Sequence, residues 1–494
     1  MGKDNGGNSD DTRSIAARGG ATVLTSQLIK LVLQFVSTVV LARLLTPEIF
    51  GLMAMVLAVT TMAEVLRDFG LSTAVLNART ISPMQQSNLF WVNTGIGFGC
   101  TVVMLLAAPL LGLIYDQPEI VDVALVVAIV FTLNGMSTQF ITSVNRQLRF
   151  RALMLIDLAP QIISTSIAVT LAVHDCGIWS LAAQQISLSL ITLLLSWTLS
   201  GWTPNRPTKQ VPIREFVVAG GHVAGTRILS VIAQNAPSMG IGVSLGASQL
   251  GIFNRAFQLC LMPLNQINAP MTRVALPLLS ELSTNNQRFS QAIRKSQSIS
   301  LYLTAPLLLL MAGLSSPIVE ILLGPGWEPV APILTALCIG GAFRAISQVT
   351  FWVFVSKKLT RQQLRFSSIS QPLIAAITLV GLFWGTLGVA IAHSVAYCLV
   401  WAMGISYIGR LANIPARDLM VDAIRTLTIC GAPIAFLAYF AASFIDNSLA
   451  SVLAAVVGAL IYMTLICLVS KAIRSDILYL TSLIRALVVR RRAR

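Results

Sequence analysis

The stretch ATVLTSQLIKLVLQFVSTVVLARLLTPEIFG, residues 21–51, combines a membrane-spanning length with a polar stripe. Residues 21–42 are long and apolar enough to cross a bilayer, because about 20 apolar residues rising ~1.5 Å each cover a hydrocarbon core of ~30 Å. Four polar residues interrupt this run at spacings of three, four and four: Gln27, Lys30, Gln34 and Thr38. These spacings place all four on one face of a helix. A lysine near mid-membrane is costly against lipid, so this face is expected to line protein or a water-filled cavity.

The composition is that of an integral membrane protein. Of 494 residues, 55% are hydrophobic and 11% are charged, whereas soluble proteins carry about 25% charged residues. Residues 1–20 are polar and show no short apolar core with a cleavage site, so we expect a cytosolic tail followed by an uncleaved anchor. The net charge of +15 lies mostly beside the spans, which argues against nucleic acid as a partner. The seven cysteines show no metal-binding spacing.

Fourteen apolar spans follow one another between residues 21 and 470, joined by short connectors. With the N-terminus inside, most of the 34 basic residues fall in cytosolic segments, and Arg43 is the only one in an opposite loop. This distribution predicts that both termini are cytosolic, because basic residues accumulate on that side. The basic tail, residues 471–494, either binds anionic membrane lipids or only enforces the topology.

An internal repeat relates the two halves of the chain. LLTPEIFG at 44–51 joins the first two spans through a predicted turn at Leu45-Thr46-Pro47, and it matches SLGASQLG at 244–251, which joins the seventh and eighth spans. The polar stripe of the first span recurs as Arg227, Ser230, Gln234 and Ser238. Chance similarity between apolar segments is the alternative. A parallel repeat of this kind predicts two lobes with a substrate site between them. We therefore expect an N-lobe at 21–205, a C-lobe at 206–410 and two further helices at 411–470, which gives two six-helix lobes and an appended pair.

Ionisable and amide side chains inside the spans are the candidate binding residues. The substrate-binding candidates are Lys30, Arg227, Arg255, Arg344, Gln34, Gln234 and Asn265. Asn265 lies between Pro263 and Pro270, where a broken helix would free carbonyls to line a cavity. Glu64 is either a partner for one of the cations or a proton-coupling group. Because unpaired central cations outnumber this acid, the spans predict an anionic substrate, and a diphosphate is one.

Four segments resemble the bacterial polysaccharide transporters, the Wzx-type lipid-linked oligosaccharide flippases of the multidrug/oligosaccharidyl-lipid/polysaccharide exporter superfamily. They are LLTPEIFGLMAM (44–55), FGLSTAVL (69–76), QQSNLFWVN (85–93) and GIFNRAFQLCLMPLNQINAPMTRVALPLLSEL (251–282). The similarity is to the exopolysaccharide branch that includes colanic acid and succinoglycan exporters.

This resemblance implies a fold of fourteen helices in two lobes, in the cell inner membrane. It also implies transfer of undecaprenyl-diphosphate-linked sugar repeat units from the cytosolic to the periplasmic leaflet by alternating access. Members of the family commonly use cationic cavity residues and have no catalytic triad, metal site or cofactor. Association with a polysaccharide polymerase or export complex is left open.

Two other functions compete with this interpretation. A multidrug-type antiporter of the same superfamily expels cations and would need an acidic cavity, whereas the deep acids here reduce to Glu64 and Asp157. A membrane glycan polymerase would need a large external loop with acid/base residues. The largest external loop, near residues 315–331, offers no convincing carboxylate pair, so the sequence predicts a transporter rather than an enzyme.

Overall fold

A computed structural model describes the backbone of residues 7–68, 81–147, 149–208 and 214–469. Side chains are described for the same residues except 7–24, 59–68, 214–230, 232 and 233. Every long regular element in these ranges is a helix, and no strand occurs in them. The prediction of an all-α protein is therefore confirmed for the described residues.

The chain divides into two compact units. The first comprises Met1–Asn235 and Gly246–Ser248, and the second comprises Ala236–Leu245 and Gln249–Arg494. The lobe boundaries expected from the sequence stay a prediction.

Seven helices of the described residues belong to the first unit. They are α1 (Gly7–Leu44), α2 (Pro47–Asp68), α3 (Pro83–Tyr115), α4 (Glu119–Val127), α5 (Ile129–Arg146), α6 (Phe150–Val173) and α7 (Ile178–Ser200). The turn expected at Leu45-Thr46-Pro47 is confirmed, because α1 ends just before it and α2 begins at its proline. Proline suits this first helical position, where the missing N–H would have no intrahelical partner.

A long helix leads from the first unit into the second, and eight more α-helices follow it among residues 282–469. They are α8 (Arg214–Glu281), α9 (Asn286–Gly313), α10 (Ser315–Leu322), α11 (Val330–Ser356), α12 (Thr360–Val380), α13 (Gly385–Ala412), α14 (Ala416–Thr426), α15 (Ala432–Phe444) and α16 (Ser448–Val469). A 3-10 turn joins α12 to α13, and a π-helical turn at Leu427–Gly431 joins α14 to α15.

Ten helical segments in the described ranges are long and apolar enough to cross a membrane. One of these segments, Thr360–Ala412, holds both α12 and α13. The protein is therefore a multi-pass membrane protein with several hydrophobic helices in each unit.

Helix α8 is interrupted at Gly246, whose backbone has φ 86° and ψ 176°. Glycine adopts this positive φ without a Cβ clash, so the helix breaks here. Gly246 lies two hundred residues after Thr46, in the connector between α1 and α2, so the break falls where the repeat expects one. The break expected between Pro263 and Pro270 is wrong: the backbone stays helical there, as membrane helices can when neighbouring groups satisfy the freed carbonyl.

Helices α3 and α5 approach each other closely at two glycines. A Cβ added to Gly97 would lie 2.6 Å from the carbonyl oxygen of Phe131, and one added to Gly135 would lie 2.7 Å from the carbonyl oxygen of Asn93. Small residues let membrane helices pack backbone to backbone, and here they allow the close packing of α3 against α5 within the first unit.

Gly97→Ala should therefore destabilise the first unit, by about 1–3 kcal/mol if it behaves like other overpacking substitutions. Thermal unfolding of the purified protein in detergent measures the effect as a lower midpoint. Gly95→Ala, two residues away on the same helix, is the matched control because its Cβ would meet nothing within 4 Å. Equal midpoints for the two variants would contradict the close approach.

The segment after α7 is anchored to the start of α3. Asn88 donates to the carbonyl of Thr208 at 2.7 Å and accepts from its N–H at 2.9 Å, while the indole of Trp91 donates to the carbonyl of Asn205 at 2.8 Å. These bonds satisfy a backbone that no helix pairs, and they tie the connector toward α8 to the first unit.

The second unit packs around large buried aromatic side chains. Trp352, Phe289 and Trp401 are at most 4% exposed and share one apolar cluster. Beside it, Arg294 of α9 pairs with Asp418 at 2.9 Å and with Asp422 at 2.8 Å, both on α14. The two carboxylates lie four residues apart on one helix face, so a single guanidinium can engage both.

Candidate functional site

A cavity of about 490 Å³ lies among helices α1, α5, α6 and α7 of the first unit. Its polar lining consists of Ser26, Gln27, Lys30, Asn134, Asn145, Asp157, Gln161, Gln185, Ser189 and Thr192. The apolar lining consists of Ile141, Phe150, Leu153, Met154, Ile156, Pro160 and Leu188. A cavity of this size and mixed lining has the dimensions of a ligand site.

Helical spacing explains why these polar groups meet. Gln27 and Lys30 are three residues apart on α1, and Asp157 and Gln161 are four apart on α6. Such spacings put each pair on one helix face. The first two residues of the polar stripe of α1, Gln27 and Lys30, therefore face a cavity, as the cost of a membrane lysine predicts, and α6 contributes a second polar face.

Lys30 and Asp157 form an ion pair across the cavity wall. The Nζ of Lys30 lies 3.1 Å from Oδ1 of Asp157, and the two side chains are 46% and 44% exposed. The expectation of an unpaired Lys30 is therefore wrong, because α6 packs against α1 and brings a carboxylate to it. Half-exposed pairs contribute at most ~1 kcal/mol to stability. The pair instead sets the charge of the cavity, whose described lining carries no other charged side chain.

Several amide side chains of the cavity keep free hydrogen-bonding capacity. The side-chain amides of Gln27, Asn145 and Gln185 make no hydrogen bond to another described residue. Each carboxamide offers two N–H donors and an acceptor oxygen. Lys30 uses one of its three ammonium donors on Asp157. The cavity therefore presents many donors and acceptors to a polar ligand.

A hydrogen-bonded chain of side chains continues from the cavity along the same helices. Gln161 donates to the hydroxyl of Thr165 at 3.4 Å, Thr165 donates to Ser37 at 3.2 Å, and Gln184 donates to Ser37 at 3.1 Å. These bonds join α1, α6 and α7 beyond the cavity. They connect the polar faces of these three helices next to Gln161, which lines the cavity.

Sequence reasoning undervalued α6 and α7. From the sequence, Asp157 is predicted only as a second deep acid, and Gln161 and Gln185 are not predicted as site residues. A signal was present, because Asp157, Gln161 and Thr165 repeat every four residues, as the stripe of α1 does.

The other predicted polar residues of the repeat lie outside this cavity or outside the described side chains. Gln34, Gln234 and Asn265 are exposed, and none of them lines the cavity. The side chains of Glu64 and Arg227 lie outside the described residues. The role of all five stays a prediction.

In the second unit, Arg344 of α11 lies between two aromatic rings. Its Cζ is 5.9 Å from the ring centroid of Phe257 on α8 and 5.2 Å from that of Tyr397 on α13. Within the described part of the chain, no carboxylate lies within ion-pair distance of Arg344. The cavity beside it has a volume of only about 10 Å³, room for about one water. Arg344 is therefore a half-buried cation held between two aromatic rings.

Arg255 has a different environment on α8. Its Nη1 donates to Oε1 of Gln258 at 2.7 Å, one turn along the same helix. This bond holds one end of the guanidinium against its own helix.

Comparison with known proteins identifies relatives in polysaccharide biosynthesis. A family model described as "Polysaccharide biosynthesis protein" matches residues 40–332. The lipopolysaccharide biosynthesis protein WzxC of Escherichia coli (strain K12) is 23% identical over 366 residues, 73% of this chain and 74% of that protein. The succinoglycan biosynthesis transport protein ExoT of Rhizobium meliloti (strain 1021) is 23% identical over 375 residues, 71% and 76% of the two chains.

A solved structure has a similar fold. The lipid II flippase MurJ in an inward closed conformation superposes with a TM-score of 0.72 at 14% sequence identity, covering 91% of this chain and 99% of that one. At this identity the similarity shows the fold alone, an all-helical membrane-protein fold shared along most of the chain.

Proposed function

Because the chain belongs to the polysaccharide biosynthesis protein family, we propose that it flips undecaprenyl-diphosphate-linked oligosaccharide repeat units across the inner membrane. The direction is from the cytosolic to the periplasmic leaflet, and the flipped units serve exopolysaccharide export. The observation that carries this proposal is the polar cavity among α1, α5, α6 and α7, inside a unit built of membrane-spanning helices. Such a cavity gives a hydrophilic head group a path that lipid does not.

The relatives support this kind of substrate. WzxC is named for lipopolysaccharide biosynthesis and ExoT for succinoglycan transport, and both match along most of this chain. The protein is a transporter rather than an enzyme, as the transport role of ExoT indicates.

Exposed aromatic and aliphatic side chains on α15 and α16 face membrane lipid.

The proposed topology has fourteen spans, two six-helix lobes related by a parallel repeat, a further pair of helices, and both termini in the cytosol. Its support is the distribution of basic residues and the position of Gly246, whose helix break matches the connector at Thr46. Alternating access then exposes the substrate site to each side in turn.

The membrane potential can drive this reaction. A diphosphate diester carries about two negative charges, and each gains ~2.3 kcal/mol on moving outward across 100 mV. An inside-negative potential therefore supplies ~4–5 kcal/mol without a coupled ion.

Within this mechanism, the cations bind the charged part of the substrate. Arg344 and Arg255, with Arg227 at the repeat position of the first stripe, contact the diphosphate. Lys30 contacts the head group from the first-unit cavity. Gln34, Gln234 and Asn265 line the route, and Glu64 is a charge partner or a coupling group. The basic tail, residues 471–494, contacts anionic lipid head groups, and a polymerase receives the flipped unit.

A multidrug-type antiporter is the second candidate, because the superfamily includes both activities. It is disfavoured by the cavity, since the acid that would attract a cationic drug, Asp157, is already neutralised by Lys30. A glycan polymerase is disfavoured further, because its relatives would be enzymes.

Deletion of the gene tests the function. The expected result is loss of the polymer, with lipid-linked repeat units accumulating on the cytosolic leaflet, where they can be measured by mass spectrometry and by protection from an external glycosidase. A plasmid copy of the chain should restore the polymer. Polymer at the normal level in the deletion strain would contradict the proposal.

A further inference from the structure

We propose that the first-unit cavity is a sugar subsite, which binds the saccharide part of the substrate while the diphosphate is held elsewhere. This inference rests on the proposed function and deepens it, because it assigns a specificity-determining site to named residues. Its basis is the balance of charge, the hydrogen-bonding groups and the size of the cavity.

The charge of the cavity disfavours a diphosphate. Lys30 and Asp157 are the charged groups of the described lining, and they lie 3.1 Å apart. A diphosphate placed there would gain one cation and face one carboxylate, so the net attraction is small. A neutral, hydroxyl-rich ligand is not repelled by the carboxylate of Asp157.

The hydrogen-bonding groups of the cavity suit sugar hydroxyls. Each hydroxyl both donates and accepts, and so does each carboxamide. The side-chain amides of Gln27, Asn145 and Gln185 have no hydrogen bond to another described residue. Among the described residues, the second carboxylate oxygen of Asp157 and two ammonium donors of Lys30 are also without a bond. These charged groups give stronger hydrogen bonds than neutral ones, which orients a ligand.

The remaining lining and the size fit the ring faces of a saccharide. Phe150, Leu153 and Leu188 supply apolar surface for the C–H faces of sugar rings, while an isoprenoid chain would leave the amides unpaired. The volume of about 490 Å³ lies in the range of small-molecule sites. The cavity also reaches Asn145, next to Arg146 at the end of α5, which is the cytosolic end in the proposed topology.

Two probes separate the sugar from the diphosphate. The first is the repeat-unit oligosaccharide released from the host polymer by mild hydrolysis, which has neither lipid nor phosphate. The second is undecaprenyl diphosphate, which has no sugar. The dissociation constant of each is measured by calorimetry on the full chain in lipid nanodiscs.

The test variant is Asn145→Ala combined with Gln185→Ala. Loss of two hydrogen-bonding groups should weaken oligosaccharide binding about tenfold and change undecaprenyl diphosphate binding less than about twofold. Retained binding of the second probe also shows that the variant is folded. If the double variant fails to fold, Thr192→Val removes a lining hydroxyl without changing side-chain shape. Thr198→Val on the same helix is its matched control, because Thr198 is exposed outside the cavity.

The outcomes distinguish this inference from the proposed function. Selective loss of oligosaccharide binding in the lining variants supports the sugar subsite. Undecaprenyl diphosphate binding without any oligosaccharide binding by the unmodified chain, or equal oligosaccharide affinity in lining and control variants, overturns the subsite and leaves the flippase proposal standing. Binding of neither probe overturns both.

Discussion

Lys30→Glu is expected to abolish polymer export while leaving the protein in the membrane at its normal level. The substitution places a second carboxylate beside Asp157, so the cavity changes from a balanced pair to two negative charges. For a diphosphate that passes ~10 Å from residue 30 on the substrate route, with an effective dielectric constant of ~20, each pair of unit charges contributes ~1.7 kcal/mol. A change of two charge units at residue 30, acting on the two charges of the diphosphate, therefore contributes ~7 kcal/mol. Even half of this energy corresponds to a roughly 300-fold loss of affinity.

The measurement is the polymer yield of a deletion strain carrying each variant, with membrane content followed by immunoblot. Lys30→Gln changes the net charge of the cavity by one unit, whereas Lys30→Glu changes it by two. The polymer yield of Lys30→Gln should therefore lie between those of the unmodified chain and Lys30→Glu. The exchange Lys30→Glu with Asp157→Lys restores the balance and should recover much of the yield. Normal export by Lys30→Glu would exclude the cavity from the substrate route. If the exchange variant is inactive although its membrane content is normal, the loss of export in Lys30→Glu is not explained by charge balance.

Most of the long described helices could be predicted from the sequence, because membrane helices are determined by local apolar length and by turn residues. The turn before Pro47 is one example, and the break at Gly246 lies within the predicted connector between the seventh and eighth spans. The short helix α10 could not be predicted, since it lies in the segment near 315–331 that was predicted as a loop. The predicted break near Pro263 failed because the sequence identifies a proline but not the neighbouring groups that stabilise a helix around it.

The site could be predicted only in part. The stripe on α1 identified Lys30, since the cost of a membrane lysine depends on that helix alone. Its partner Asp157 is 127 residues away, so the pair depends on which helix packs against α1. The surroundings of Arg344 could not be predicted from local sequence either, because its aromatic neighbours come from two other helices.

Arg344→Glu is expected to abolish export as well, for a reason specific to the second unit. Aromatic faces attract cations, and the rings of Phe257 and Tyr397 hold the guanidinium from two helices. A glutamate there places a negative charge against the negative faces of both rings, in a space that admits about one water. The substitution also reverses the charge that the diphosphate is proposed to meet.

Arg344→Met separates the packing role of this side chain from its charge. Methionine is long, flexible and favourable against aromatic rings, so the variant should keep a normal membrane level and thermal midpoint. If the charge binds diphosphate, its polymer yield should still fall at least about tenfold, since a hydrogen bond to a charged group contributes ~1.5–3 kcal/mol. Arg344→Lys keeps the charge but not the planar fork, so its yield should lie between those of the unmodified chain and Arg344→Met. Full export by Arg344→Met would restrict Arg344 to packing, and the diphosphate would then be bound by other cations of the chain.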